Sequence, residues 1–95
     1  AKVPCHVAET AARIFPLAKT VVERGNTNAV TDGLVAAMAA RTAVIGAGLN
    51  VKINLASIED EDFVAEYSAR VAALEEQAIA AEREIFALSE LTREI

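Results

Sequence analysis

The sequence predicts an all-α fold: a bundle of long helices, about three in this chain, completed by a partner subunit or by a preceding part of the polypeptide. Three observations predict it. Apolar residues recur at spacings of three and four through most of the chain. The chain is 54% hydrophobic but only 4% aromatic, and alanine, the best helix former, supplies much of the difference. No Gly or Pro follows Gly48, so nothing forces a late turn. Ninety-five residues make one domain at most. Residues 1–95 are read as a single all-helical segment.

The first helical segment runs from about Pro4 to Arg24. Pro4 suits a first turn, where its missing N–H is not needed. Val7, Ala11, Ile14, Ala18 and Val21 make one apolar face, widened by Ala8, Phe15 and Val22. Pro16 should kink or locally break this segment. Gly25 should close it in the C′ place.

The turn "GNTNAVTDG" offers Asn26, Thr27, Asn28 and Thr31 as N-caps for a second segment reaching about Leu55. Residues 49–55 alternate apolar and polar, the period of a half-buried strand. A strand needs a partner, and the rest of the chain offers none. A continued helix satisfies the backbone instead. On that helix Asn50 and Asn54 share a face, which reads backward through Gly46, Ala43, Ala39 and Ala36 to Asp32. One stripe of small residues then has a carboxylate at one end and two amides at the other. Amides are poor helix-interior residues and cost stability if buried without partners.

The third segment has a start signal in Ser57 and Asp60, within an acidic turn holding Glu59, Glu61 and Asp62. It reads as one helix of about 35 residues, about 50 Å long. Tyr67, Val71, Leu74, Ala78, Ala81, Ile85 and Leu88 hold a heptad seam. Glu75, Glu76, Glu82 and Glu84 read as its wet side. This helix exceeds either neighbour that can cover it, so its seam should protrude and need a second subunit or an absent segment.

The net charge of −5 argues against a nucleic-acid platform. Gly33–Asn50 is interrupted by Arg41 and is too short and alanine-rich to suggest a membrane span. Residues 1–15 lack the pattern of a secretory signal, and one cysteine, Cys5, excludes an internal disulfide, so the cytoplasm is the default location. His6 beside Cys5 gives too few ligands for a metal site. A helix within a few residues of Ala1 suggests a boundary with sequence upstream of it.

"VP" at 3–4, "GNTNAVTD" at 25–32 and "GAGLNVKINLASIEDEDF" at 46–63 resemble the formiminotetrahydrofolate cyclodeaminase and methenyltetrahydrofolate cyclohydrolase family. The resemblance covers about the first two thirds of the chain. It implies a dimeric all-helical bundle, and that 49–55 is helical. It also implies that this chain is the C-terminal half of a domain whose N-terminal part carries a glycine-rich turn. Family members act on one-carbon units carried by tetrahydrofolate and need no metal. Both reactions pass through a tetrahedral carbon between N5 and N10, for which a carboxylate and fixed hydrogen-bond donors suffice.

By that resemblance Asp32 is the acid or base and Thr31 its companion. Asn26 and Asn28 face the pterin edge, and Asn50 and Asn54 contact the ligand. Lys52, Arg41, Lys19 and Arg24 are candidates for the anionic tail of the folate. Without it, Asp32 is an acidic first-turn residue, Thr31 a cap, Asn26 and Asn28 turn formers, and the basic residues solvated charges. Burial of Asp32 among alanines would raise its pKa and suit acid catalysis. The other reading is a helical dimerisation or scaffold module that kept the fold and lost the site.

Overall fold

The computed structural model describes residues 2–25 and 27–93, and among them four helices and no strand. They are α1 (Lys2–Ala12), α2 (Ile14–Arg24), α3 (Thr27–Leu55) and α4 (Glu61–Ala87). The expected all-α bundle is what the chain forms. Helices α1 and α2 lie end to end along one side of α3, and α4 lies along another.

The first segment divides at Arg13, three residues before Pro16. Pro16 has no N–H to offer the carbonyl of Ala12, so the ladder lapses there. The Arg13 N–H instead donates to the Thr10 carbonyl at 3.1 Å, and Pro16 falls in the first turn of α2. The face that packs is Cys5, Ala8, Phe15, Ala18 and Val22. The sequence reading placed it one position away: Val7, Ile14 and Val21 lie outside the core. Phe15 decides the matter, because it is the largest apolar group of the segment and its burial sets the phase. Gly25 ends α2 as expected, in an extended conformation (φ −78°).

Helix α3 runs unbroken through residues 49–55, which settles the alternating stretch as helical. Val51 and Leu55 point into the bundle, and Leu49 and Ile53 point out. Helix α4 begins at Glu61, later than Ser57 suggested. Asp60 is the cap, its carboxylate accepting from the Phe63 N–H at 3.1 Å. Ser57 donates to the Asn54 carbonyl at the end of α3. At the other end α4 stops at Ala87 without a Gly or Pro. Ser89 and Thr92 draw the chain into a turn there. The Thr92 hydroxyl donates to the Phe86 carbonyl, and the Ser89 hydroxyl accepts from the Leu91 N–H.

The largest cluster joins Ala8, Phe15, Ala18 and Val22 to Leu34, Ala37, Ala40, Val44 and Ala47 of α3 and to Ala78 and Ile85 of α4. A smaller one at the far end holds Cys5, Val51, Leu55, Tyr67 and Val71. The heptad seam of α4 from Tyr67 to Ile85 is therefore covered within the chain, contrary to expectation, while Leu88 at its end is exposed. At 27 residues α4 is no longer than α3, which has 29. Uncovered apolar groups stand on every helix, among them Val3 on α1 and Leu17 on α2, and α3 carries four. Val35, Met38, Leu49 and Ile53 stand exposed on its far side.

Asn28–Leu55 is long and apolar enough to cross a membrane, its most apolar 18-residue window having a mean hydropathy of 1.5. It exceeds the limits read from Gly33–Asn50. Within this bundle 39% of that window is buried, and the core helix of a soluble protein meets the same criterion.

Candidate functional site

Helix α3 carries most of the residues singled out above. Asp32, Asn50 and Asn54 share its outer face with Ala39, Ala43 and Gly46, and all six are exposed. A separation of 18 residues is five helical turns, so Asn50 lies directly above Asp32. The same geometry puts them about 27 Å apart along the axis at 1.5 Å per residue. One copy of α3 therefore aligns the acid and the amides without bringing them together. Asp32 is not buried among alanines as expected: it is exposed, and of the stripe's alanines Ala36 is half-buried and Ala39 and Ala43 are exposed.

Asn28 and Thr31 are exposed in the first turns of α3. Asn26 lies outside the described residues. Lys52 is on the opposite flank, where its Nζ lies 2.9 Å from Oε1 of Glu75. Arg41 donates to Glu82 at 2.8 Å, and Lys19 to Glu84 at 2.6 Å. The hydrogen bond and charge of Glu84 push the Lys19 pKa up. Three carboxylates read as the wet side of α4 thus fasten it to α2 and α3, and three basic candidates for an anionic tail already hold partners. The sequence carried no direct signal of this, because each pair joins residues at least 23 positions apart. Arg24, at the end of α2, is exposed.

A further cluster joins α1 to α4. Arg70 donates to Glu9 at 2.7 Å and lies 4.8 Å over the ring of Tyr67. The Cys5 thiol, 1% exposed, points at the same Glu9 carboxylate from 3.6 Å. Burial raises the Cys5 pKa above its ordinary value, and Arg70 opposes that shift. His6 is exposed. Among the described residues no group of three His, Cys, Asp or Glu side chains is placed to hold a metal ion.

Two grooves lie elsewhere. One, of about 320 Å³, is lined by Phe15, Pro16, Ala81 and Ile85 with the Lys19–Glu84 pair at its edge. The other, of about 370 Å³, lies between the end of α2 and the turn after α4, against Val22, Gly25, Val30 and Ser89. Neither contains Asp32, Asn50 or Asn54.

Residues 1–73 match the formiminotransferase-cyclodeaminase family. The chain belongs to that family. Its relatives include the formimidoyltransferase-cyclodeaminase of Rattus norvegicus, 36% identical over 76 residues, and that of Sus scrofa, 38% identical over 76 residues. Each alignment takes in 80% of this chain but 14% of the relative. The chain thus spans about 14% of the length of the curated relatives it matches. No solved structure matches it. The aligned family segment ends within α4, so it includes the whole of α3 and both ends of the polar stripe.

Proposed function

We propose that this chain forms part of a tetrahydrofolate one-carbon enzyme, which converts 5-formiminotetrahydrofolate to 5,10-methenyltetrahydrofolate and ammonia or hydrolyses the methenyl form to 10-formyltetrahydrofolate. The observation that carries this reading is the family match across α3. That helix presents Asp32, Asn50 and Asn54 on one exposed face. In the first reaction N10 attacks the formimino carbon and forms the tetrahedral centre. Asp32 protonates the nitrogen that departs as ammonia. In the second, water attacks the methenyl carbon, Asp32 takes its proton, and ring opening at N5 leaves the formyl group on N10. Thr31, beside Asp32, is the companion hydroxyl. Asn28, Asn50 and Asn54 bind the ligand through their amides, which both donate and accept.

A turnover assay with both folates tests the proposal and separates the two reactions. Asp32→Asn should abolish turnover while leaving helicity intact, and retained turnover removes Asp32 from the role.

The second reading is a non-catalytic helical dimerisation or scaffold module. It is favoured by the separation of about 27 Å between Asp32 and Asn50 on one rigid helix. Titration with a tetrahydrofolate analogue divides the two readings. Protection of the Asn28–Asp32 turn supports the enzyme, and silence from both this chain and the full-length protein supports the scaffold.

A further inference from the structure

Helix α1 is held differently from the rest of the bundle. Its buried side chains are Cys5 and Ala8, a thiol and a methyl group. Its two valines, Val3 and Val7, are 75% and 48% exposed. Helix α2 has the same 11 residues but buries the Phe15 ring and Val22 besides Ala18. Isolated helices shorter than about 12–15 residues are marginal in water, so α1 depends on what it packs against. Apolar stabilisation follows buried area, and α1 buries little.

The break at Arg13 also sets α1 apart mechanically. Pro16 has no N–H for the Ala12 carbonyl, so the helical ladder does not run through the joint. Arg13, the residue before α2, makes no side-chain cap bond. Apart from Ala8, the buried members of the larger cluster lie on α2, α3 and α4. A rotation about Arg13 therefore lifts α1 while those three helices stay packed. Openings that break few buried contacts lie below global unfolding in free energy.

One ion pair closes the free side. Glu9, in the middle of α1, accepts from Arg70 of α4 at 2.7 Å, and both side chains are 40% exposed. The Cys5 thiol points at the same carboxylate. Behind that pair Cys5 packs with Val51 and Leu55 of α3 and with Tyr67 and Val71 of α4.

We propose that α1 is a strap: it swings open about Arg13 as one unit while α2, α3 and α4 remain folded, and the Glu9–Arg70 pair is the latch that holds it shut. Opening uncovers Cys5 together with the Val51 and Tyr67 surface beneath it. The reactivity of the one cysteine in the chain is thus gated by the movement of a helix rather than by unfolding of the protein.

Cys5 is the reporter that tests this. In excess dithionitrobenzoate and native buffer, the Cys5 thiolate attacks the reagent disulfide and releases thionitrobenzoate, and the rate follows the opening. Glu9→Gln and Arg70→Gln should each speed the reaction about two- to fivefold, the range of an ion pair at this exposure. The two variants change the charge beside the thiol in opposite senses, so acceleration by both reports the latch and not the acidity of the thiol. Ile85→Ala weakens the larger cluster at a point about 22 Å along α4 from Arg70. It should lower global stability yet leave the thiol rate within about twofold; Ile85→Val serves if the alanine variant does not fold. Hydrogen exchange read by mass spectrometry gives the second readout. The amides of residues 6–12 should exchange together, ahead of those of α2, and faster in both latch variants. Acceleration by the Ile85 variant in proportion to its loss of global stability assigns thiol exposure to whole-chain unfolding and overturns the strap. Exchange in α1 no faster than in α2 does the same. Opposite responses of the Glu9 and Arg70 variants, or no response from either, overturn the latch.

Discussion

Gly33 of α3 backs onto Val22 of α2 so closely that a β-carbon at 33 would stand 2.9 Å from the valine Cγ2. It would also meet Val21 Cγ1 at 3.1 Å and the Ala18 carbonyl at 3.2 Å. The two helices touch through the absence of a side chain. Gly33→Ala gains helix propensity but must push α2 away, and overpacking of this kind costs about 1–3 kcal/mol. Denaturant titration should show a net loss. Gly46→Ala, where a β-carbon would meet nothing within 4 Å, should show a gain of up to about 1 kcal/mol. The contrast in sign between two glycines of one helix is the expected outcome.

Cys5 ties stability to alkaline pH. Its pKa is raised above the ordinary 9.0, chiefly by burial. Between the unfolded and folded values the native state holds the proton more tightly than the unfolded chain does. The contribution is therefore full below about pH 9 and is lost as pH rises through the folded value. Thermal melts should fall more steeply above pH 9 in the wild type than in Cys5→Ala. A disulfide reagent such as dithionitrobenzoate should react slowly with the native protein and quickly in denaturant.

Asp60 holds the first turn of α4 through Phe63. Asp60→Ala should cost about 1 kcal/mol in equilibrium unfolding. Ser57→Ala, at the position the sequence favoured, touches only the end of α3 and should cost less.

Ile85 is 1% exposed and packs in the cluster shared by the long helices. Ile85→Ala should cost about 2–5 kcal/mol. The same change at Ile79, 43% exposed on α4, should leave the unfolding midpoint nearly unchanged.

The fold was legible where period and length agree. The α4 seam from Tyr67 to Ile85 needed no partner to be recognised, because seven-residue spacing belongs only to a helix packed on helices. Residues 49–55 were legible by elimination, since a lone strand cannot satisfy its backbone. The phase of α1 and α2 was not. Pro16 was visible as a breaker, but the position of the break reset which valines face inward. The stripe from Asp32 to Asn54 was legible as a stripe, for angular position follows from counting residues. Its exposure was not, because small residues fit a buried seam and an open face equally well. The ion pairs of Glu75, Glu82 and Glu84 depend on which helices become neighbours, and local sequence does not record that.

Ala37, Ala40, Ala47 and Ala78 fill the middle of the bundle with single methyl groups. Such positions sit at the lower limit of side-chain size, so mutation there meets a wall in one direction. Exchange for serine or glycine alters little volume, while valine or leucine must wedge neighbouring backbones apart. Natural variants of this protein should therefore drift freely along the rims of its helices and hardly at all along this axis.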